Sequence, residues 1–231
     1  DAQQFALKLF QSSLADEEIQ ALVRHLTVAE TYFFREAKAF AELEAVLPDL
    51  IEEKRVAGKR LRILSAGCCT GEEAYSLVML LTRLIADLDD WQIDIIGSDI
   101  NQEYLAKARL GIYGSWAFRG VMSEPLDQLK SRFFSEVESG NFAIKPKLKD
   151  MVQFVYLNLA DDYLIYEKQL GTEPFDLILC RNVLIYFDKP LIKPVLQRLS
   201  RLLRPGGWLL LAATEVPSAG EKVFADYLRP R

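Results

Sequence analysis

Residues 63–76, ILSAGCCTGEEAYS, place a short apolar run, a glycine-containing turn and a helix-forming stretch next to one another. In doubly wound α/β folds, nucleotide cofactors bind where a strand enters a helix through such a turn. The turn contains Gly67 and Gly71 but lacks the middle glycine of the dinucleotide fingerprint G-x-G-x-x-G. Glu72 and Glu73 follow, at the helix start where a diphosphate would lie. Since both carboxylates would repel a diphosphate, we expect a cofactor without phosphate.

Strand-like and helix-like patterns alternate on both sides of this turn. The apolar, strand-like runs are LRILSAG (61–67), QIDIIGSDI (92–100), FDLILC (175–180) and, after a glycine turn, WLLLAA (208–213). Amphipathic stretches typical of helices separate them. This alternation predicts an α/β fold with a doubly wound, mostly parallel, Rossmann-like sheet whose strands are buried on both faces.

The remaining segments predict two additions to that sheet. Residues 1–56 have only helical patterns, interrupted near Pro48, and predict an N-terminal helical domain and linker. Residues 57–231 then form the cofactor-binding domain. Within it, residues 114–152 interrupt the alternation with a helix, a turn and short strands. We expect this insertion to be a small antiparallel β-subdomain.

Composition excludes several classes of function. The net charge of −5 over 231 residues disfavours a nucleic-acid partner, and no apolar run reaches the ~18 residues of a membrane span. The three cysteines, Cys68, Cys69 and Cys180, and the single histidine, His25, lack the spacing of a zinc site. An odd number of cysteines suits a reducing compartment, so we expect a cytoplasmic protein without a metal.

An acid at the end of the second strand refines the choice of cofactor. Asp99 closes that strand, where a carboxylate accepts hydrogen bonds from ribose hydroxyls in related folds. The alternative is that Asp99 caps the helix that follows. S-adenosylmethionine has ribose hydroxyls, an ammonium group and a sulfonium but no phosphate. It therefore suits Asp99 and the paired glutamates better than NAD does.

Four segments together resemble one family, the chemotaxis receptor methyltransferases (CheR). They are TYFFRE (31–36), SAGCCTGEEAYS (65–76), SDINQEYLAKARLGIY (98–113) and FDLILCRNVLIYFDK (175–189). The resemblance extends over nearly the whole chain. It implies a class I methyltransferase domain that carries an N-terminal helical domain and an inserted β-subdomain. It also implies methyl transfer from S-adenosylmethionine to glutamates in the cytoplasmic helical region of a chemoreceptor, with S-adenosylhomocysteine as product.

Matching positions in these motifs give the candidate site residues. The resemblance implies cofactor contacts at Thr31, Arg35, Gly67, Glu73, Asp99, Asn158, Leu159, Asn182 and Val183. Arg35 and Tyr186 are the polar residues that it places nearest the transferred methyl group, and it includes no metal ligand.

The motifs contain no histidine that could act as a general base. A glutamate acceptor does not need one, because its ordinary pKa of about 4.3 leaves it ionised at neutral pH. The enzyme then has only to align donor and acceptor and to exclude water. We expect Arg35 and Tyr186 to position the reactants rather than to neutralise charge.

The chain departs from the family pattern at several places. Ala29 stands where members often have asparagine, and AATE (212–215) lacks the histidine of the usual Gly-His-Ser-Glu. The stretch SEVESGNF (135–142) is shorter than the glycine-rich loop with which some members bind a receptor tail peptide. We therefore expect a tail-independent enzyme, with KPKLK (145–149) either contacting an acidic partner or forming a solvated strand end.

Other functions remain open at this point. A class I methyltransferase could use a different acceptor, and a non-enzymatic domain could bind S-adenosylmethionine as a signal. The acidic composition disfavours nucleic acid as that acceptor, and we expect no insertion into the membrane. Some family members carry tetratricopeptide repeats after this domain, and the resemblance allows such repeats beyond residue 231.

Overall fold

A five-stranded parallel sheet forms the centre of the computed structural model, which describes residues 16–121 and 125–215. Its strand order is β6-β2-β1-β7-β8. The strands are β1 (Arg60–Ala66), β2 (Gln92–Asp99), β6 (Val152–Tyr156), β7 (Phe175–Cys180) and β8 (Leu203–Leu211). The chain moves from β1 to β2 and β6 on one side, then returns to β7 and β8 on the other. This reversal beside β1 is the topological switch point at which ligands of such sheets bind.

Helices cover both faces of the sheet. They are α1 (Asp16–Leu26), α2 (Ala37–Val56), α3 (Glu72–Leu84), α4 (Gln102–Leu110), α5 (Leu126–Phe133), α6 (Pro146–Lys149), α7 (Tyr163–Leu170) and α8 (Lys189–Leu202). Every residue of β7, and every residue of β1 after Arg60, is buried. The predicted doubly wound architecture is confirmed. None of the helices described is both long and apolar enough to cross a bilayer.

Two expectations about the main sheet and its helices were wrong, and one helix was not predicted. Helix α2 continues through Pro48 because its buried face, which includes Leu47 and Leu50, packs on the core and offsets the lost backbone hydrogen bond. Strand β8 includes the Pro-Gly-Gly turn and is partly exposed, since it lies at the edge of the described sheet. Helix α7 was not foreseen, because Tyr163–Leu170 has a weak amphipathic pattern.

The insertion contains a three-stranded antiparallel sheet with the order β3-β5-β4. Its strands are β3 (Ile112–Tyr113), β4 (Phe134–Glu136) and β5 (Phe142–Ile144). The small sheet therefore begins slightly before the expected boundary, and the last strand of the interrupted segment, β6, belongs to the main sheet. Aromatic rings join the small sheet to the rest, with Phe33 lying 4.9 Å from Tyr113 and 5.2 Å from Phe134 between ring centroids.

The basic stretch 145–149 forms helix α6 rather than a strand end. Its lysines bind the chain's own groups. Lys145 donates to the carbonyls of Ser131 and Arg132, and Lys149 donates to that of Leu110. Lys147 pairs with Asp89. These internal contacts argue against the stretch as a surface for an acidic partner.

The TYFFRE segment is an irregular connection between α1 and α2 that is anchored in the hydrophobic core beside the main sheet. The Phe34 amide donates to Ser76 Oγ at 2.9 Å, and the Phe33 amide donates to the Ala117 carbonyl at 2.8 Å. Both phenylalanines are buried. The division into a helical domain at 1–56 and a second domain at 57–231 stays a proposal, because α2 packs into the same core as β1 and because residues 1–15 and 216–231 lie outside the described residues.

Candidate active site

A cavity of about 480 Å³ lies at the carboxyl ends of the central strands. This volume falls within the roughly 300–1,000 Å³ typical of small-molecule sites. Every candidate residue from the sequence lines it: Thr31, Arg35, Gly67, Glu73, Asp99, Asn158, Leu159, Asn182, Val183 and Tyr186. The fold thus brings together residues from five separate segments. Their roles as ligand contacts remain a proposal.

The turn after β1 forms the floor of the cavity. Gly67 has φ +79°, and a Cβ there would lie 2.3 Å from Val183 Cγ2. Only glycine therefore permits both this backbone conformation and the close approach of Val183. The amides of Gly67 and Cys68 donate to the Ser98 carbonyl at 2.7 and 2.9 Å, which fixes the turn against β2.

The two glutamates after the turn have different environments. Glu73 lines the cavity, whereas Glu72 is 5% exposed and accepts a hydrogen bond from Thr70 Oγ1 at 2.7 Å. Burial raises the pKa of Glu72 above its ordinary value. The expectation that both carboxylates face the ligand was therefore wrong, because consecutive helical positions point in different directions. Only Glu73 opposes a diphosphate directly.

Arg181 binds Glu73 in a buried ionic cluster that the sequence did not reveal. Its side chain is 1% exposed, and Nη1 lies 2.9 Å from Glu73 Oε2. Nη2 lies 3.1 Å from Glu36 Oε2 and donates to the Arg35 carbonyl at 2.9 Å. Ser65 Oγ donates to the other oxygen of Glu73 at 2.8 Å. Arg181 Nε is buried and has no hydrogen-bond partner within the described part of the chain.

Glu36 links the TYFFRE segment to this cluster. Burial opposes its ionisation, but the hydrogen bond from Asn182 Nδ2 at 2.9 Å and the charge of Arg181 outweigh it, so the pKa of Glu36 is lowered. Glu36 also adopts φ +58°. A signal for the cluster was present in the sequence, because Arg181 is the first charged residue after the fully apolar end of β7. The neighbouring Asn182 and Val183 were singled out instead.

Asp99 is held by backbone amides. The Cys69 amide donates to Oδ2 at 2.9 Å and the Asn101 amide to Oδ1 at 2.8 Å. Asn101, not Asp99, caps α4, since its side chain accepts from the amides of Glu103 and Tyr104. A carboxylate has about four lone-pair sites, so Asp99 retains acceptor capacity for a ligand hydroxyl. Burial raises the pKa of Asp99.

Helix α1 forms an apolar roof over the cavity. Its cavity-lining residues are Ile19, Leu22, Val23 and Leu26. Polar contacts near the start of α4 hold this roof in place. Asn101 Nδ2 donates to Thr27 Oγ1 at 2.8 Å, and the Tyr104 hydroxyl donates to the Thr27 carbonyl at 3.0 Å. The sequence did not predict this role, because an apolar helix face looks the same whether it meets a core or a ligand.

The turn after β6 gives the cavity an apolar wall. Leu159 is buried, and its carbonyl accepts the hydroxyl of Tyr166 at 2.7 Å. Asn158 uses its side chain within the turn, where Nδ2 donates to Asp161 and Oδ1 accepts the Ala160 amide, both at 3.0 Å. Asn158 therefore shapes the wall on which a flat ring could lie.

Arg35 and Tyr186 lie at the open side of the cavity. Arg35 donates to the Glu30 carbonyl, and Tyr186 is 62% exposed in the short 3₁₀ turn Leu184–Tyr186. The cavity thus has a buried polar end at Glu73 and Arg181 and an accessible end at Tyr186.

The cysteines are free thiols. Burial, together with the charge of Asp99, raises the pKa of Cys69 to about 12, and burial raises those of Cys68 and Cys180 as well. They are therefore protonated at neutral pH and are poor nucleophiles. No cluster of three or more potential metal ligands occurs among residues 16–121 and 125–215.

Residues 29–227 match the family model described as CheR methyltransferase, SAM binding domain. The chain belongs to the CheR methyltransferase family. The cofactor of this CheR domain is therefore S-adenosylmethionine, and its fold is that of a methyltransferase. The identification agrees with the four sequence segments and with their positions around one cavity.

Curated relatives of this CheR domain differ in length. It is 38% identical over 204 residues to the probable biofilm formation methyltransferase WspC of Pseudomonas aeruginosa, covering 86% of this chain but 44% of WspC. It is 37% identical to chemotaxis protein methyltransferase 1 of the same species, covering 85% of this chain and 69% of the relative. Identity to chemotaxis protein methyltransferase 2 of Vibrio cholerae is 36%, with coverages of 95% and 73%.

The residues of this CheR domain fit S-adenosylmethionine chemically. Asp99 has spare acceptor sites for a ribose, and the apolar wall at Leu157 and Leu159 suits a purine. At the polar end, Glu73 provides a carboxylate for an ammonium group, and Arg181 Nε is a buried donor that still lacks an acceptor. Buried donors without partners are rare in folded proteins, so Arg181 Nε is an unusual feature of this end of the cavity.

Proposed function

We propose that this CheR domain transfers the methyl group of S-adenosylmethionine to glutamate side chains in the cytoplasmic helical region of a chemoreceptor, and that it works in the cytoplasm. The proposal rests on one observation: the acidic side chains that line the cavity already have ion-pair or hydrogen-bond partners. Glu73 is paired with Arg181, Glu30 with Arg119, and Asp99 with two backbone amides. Of the described residues, no histidine lines the cavity. An acceptor that arrives already ionised suits a site without a free general base.

S-adenosylmethionine, when bound, supplies an electrophilic methyl group on a sulfonium. Asp99 would accept hydrogen bonds from the ribose, and Glu73 with Arg181 would orient the amino-acid end. The apolar roof of α1 would keep water from the reacting groups. Alignment of donor and acceptor is worth roughly 7–11 kcal/mol in favourable cases. The acceptor needs no deprotonation, so orientation and exclusion of water suffice.

Arg35 and Tyr186 would hold the acceptor carboxylate at the open side of the cavity. Arg35 already donates to the Glu30 carbonyl, which restrains its guanidinium. A direct, fully desolvated ion pair with the acceptor would reduce its nucleophilicity. We therefore assign both residues to positioning.

Methyl transfer from radiolabelled S-adenosylmethionine tests the proposal. The acceptors are the cytoplasmic helical fragments of chemoreceptors from the source organism, with RNA as the competing class. We expect base-labile label in the receptor fragment, as for a carboxyl methyl ester, and none in RNA. Replacing the acceptor glutamates by alanine should abolish labelling. Tight cofactor binding without transfer to any receptor fragment would instead favour a non-enzymatic binding domain, and transfer to RNA would favour the other acceptor class.

Variants at the open side test the positioning roles. Arg35→Ala and Tyr186→Phe should each lower the methyl-transfer rate. Wild-type rates in both would remove these residues from the mechanism. Val46→Ala, at an exposed position of α2, is the matched control and should leave the rate unchanged.

We also propose that docking does not depend on a receptor tail peptide. The connection between β4 and β5 spans only residues 137–141 and contains one glycine, Gly140. Calorimetry with a peptide from the receptor C-terminus should show no binding. Micromolar binding would contradict this proposal without affecting the methyl-transfer assignment.

The receptor system itself needs a direct comparison, because identity to a biofilm formation methyltransferase and to chemotaxis methyltransferases is nearly equal. The same assay with receptor fragments of both systems separates the two outputs. The preferred acceptor is the fragment that is labelled at the lower enzyme concentration.

A further inference from the structure

The turn that follows β7 directs three consecutive backbone amides at one buried carboxylate. Asn182 N lies 2.9 Å from Glu215 Oε2, and Val183 N and Leu184 N lie 2.7 and 2.8 Å from Oε1. The Ala212 amide adds a fourth hydrogen bond at 3.1 Å. Glu215 is 1% exposed. Each of its oxygens therefore receives two N–H donors.

The backbone of this turn explains why a carboxylate is needed. Asn182 has φ +57°, and Val183 has φ −118° and ψ −43°. Adjacent residues in left-handed and right-handed conformations turn their amides toward one point and form an anion-binding concavity. The amides of Asn182 and Val183 precede the 3₁₀ turn Leu184–Tyr186, and Leu184 is its first residue, so none of the three amides has a partner within that turn. Without an anion, a group of buried donors would remain unsatisfied.

The turn also carries the residues that surround one end of the cavity. The Asn182 side chain donates to Glu36, Val183 packs against Gly67, and the Tyr186 amide donates to the Val183 carbonyl at 3.1 Å. A shift of the turn would move all three cavity-lining side chains together.

We propose that Glu215 is a positioning residue of this enzyme, which presets the 182–186 turn and thereby places Asn182, Val183 and Tyr186 around the cofactor's reactive end. Glu215 does not line the cavity. It acts through the amides that it binds. The carboxylate joins the ends of β7 and β8, so the edge strand of the described sheet contributes to the site although none of its own residues lines the cavity.

Asp176 provides a matched control at the opposite end of β7. It is 3% exposed, accepts the Arg62 amide at 2.9 Å and Arg204 Nε at 2.7 Å, and pairs with Lys54. Glu215 and Asp176 are thus both buried, multiply bonded carboxylates. Only Glu215 binds the turn at the cavity.

The experiment compares Glu215→Gln with Asp176→Asn in the full chain. In the glutamine variant, an NH₂ group replaces one carboxylate oxygen and faces two backbone N–H groups. Because all of these groups are donors, the two hydrogen bonds are lost and the turn should loosen. In the protein without ligand, hydrogen exchange at the amides of residues 182–184 should accelerate at least about tenfold in Glu215→Gln, relative to the amides of β7. Calorimetry should show S-adenosylhomocysteine binding weakened by at least about tenfold. In Asp176→Asn, binding should stay within about twofold of wild type.

Kinetics separate positioning from a general loss of folded protein. Loss of folded enzyme alone lowers the apparent kcat and leaves the KM for S-adenosylmethionine unchanged. For Glu215→Gln, we expect kcat to fall by roughly ten- to a hundredfold, because displacements of about 1 Å are this costly, and we expect KM to rise as well. This kinetic readout rests on the proposed methyl transfer, whereas exchange and binding do not.

Glu215→Asp keeps the charge with a shorter reach and serves if Glu215→Gln does not fold. It should give intermediate exchange and intermediate binding. The proposal is overturned if either folded variant keeps wild-type S-adenosylhomocysteine affinity and protected amides at 182–184, or if Asp176→Asn weakens binding as much as Glu215→Gln does.

Discussion

The two ends of the central sheet both bury charged side chains, but they partner them differently. At the amino end, Asp176 pairs with Arg204 and Lys54, and Asp94 pairs with Arg62. Each of these acids has a cationic partner. At the carboxyl end, acids outnumber cations. Asp99 and Glu215 are held by backbone amides, and Arg181 is shared between two carboxylates.

This difference suggests two roles for the buried charges: the ion pairs at the amino end fix the fold, and the charged groups at the carboxyl end are available to a ligand. A buried ion pair adds little net stability, because desolvation offsets the attraction, so the pairs at the amino end act mainly by fixing strand register. Among the acids at the carboxyl end, Asp99 keeps unused hydrogen-bonding capacity, whereas all four acceptor sites of Glu215 are taken by amides. Such capacity is costly unless a ligand uses it. We therefore propose that the carboxyl end is preorganised for binding and the amino end is not.

The largest effect is expected at the two glycines that flank β1. Gly67→Ala combines a positive φ with a Cβ 2.3 Å from Val183, whereas Gly58→Ala, at the amino end, has a positive φ and no atom within 4 Å of the new Cβ. We expect Gly58→Ala to lower the free energy of unfolding by about 1–2 kcal/mol. Gly67→Ala should cost about 1–3 kcal/mol more, because of overpacking. Urea denaturation measures both, and equal losses would contradict the close-approach argument.

Arginine-to-lysine substitutions at the two ends come next. Lysine keeps the charge but cannot bridge Glu73 and Glu36 with one planar group. Arg181→Lys should weaken S-adenosylhomocysteine binding about a hundredfold, equivalent to about 2.7 kcal/mol. Arg62→Lys breaks a comparable buried network at the amino end of the sheet. Because the cavity lies at the opposite end, the affinity of this variant for S-adenosylhomocysteine should match that of wild type. Calorimetry on both folded variants measures this affinity. A similar loss of affinity in each would contradict the proposal that only the carboxyl end serves ligand binding.

A smaller effect is expected for the two aspartates of β2. Asp99→Asn should weaken S-adenosylhomocysteine binding about tenfold or more, since hydrogen bonds to charged groups are worth about 1.5–3 kcal/mol. Asp94→Asn, on the same strand, removes the partner of Arg62 and should affect stability but not binding. If Asp94→Asn weakens binding equally, Asp99 is not a ribose contact.

The smallest effect is a pH dependence of affinity. Burial raises the pKa of Asp99, and hydroxyls bind best to its ionised form. Affinity for S-adenosylhomocysteine is thus complete above that raised pKa and declines as pH falls through it. Glu36 has a lowered pKa and stays ionised in this range. Titrations from about pH 7.5 toward the ordinary carboxyl range should show the decline in wild type and a flatter profile in Asp99→Asn. Parallel profiles would assign the dependence to another group.

Much of this organisation was predictable because it depends on local pattern. The apolar runs of β1, β2 and β7 and the turn at Gly67 predicted the sheet, its switch point and the place of the site. The CheR resemblance then supplied candidate residues, and the fold brings all of them to one cavity. These features are encoded within short windows of sequence.

The features that could not be predicted from the sequence depend on contacts between residues that are distant in the chain. Arg181 became significant only when β7 placed it between Glu73 and Glu36, which are distant in the chain. Glu215 lies in AATE, whose pattern shows a missing histidine but not the four amides that the folded chain brings to this carboxylate. Helix α1 showed an apolar face that did not reveal whether it covers a core or a ligand. Pro48 was misread because tertiary packing overrode its local preference.

We infer that the carboxyl end of the sheet is built for S-adenosylmethionine rather than for a diphosphate cofactor. Calorimetric titration of the wild-type chain with S-adenosylhomocysteine and with NAD tests it most directly. We expect one S-adenosylhomocysteine to bind per chain and no heat of binding with NAD. Binding of NAD, or failure of S-adenosylhomocysteine to bind the folded protein, would contradict it.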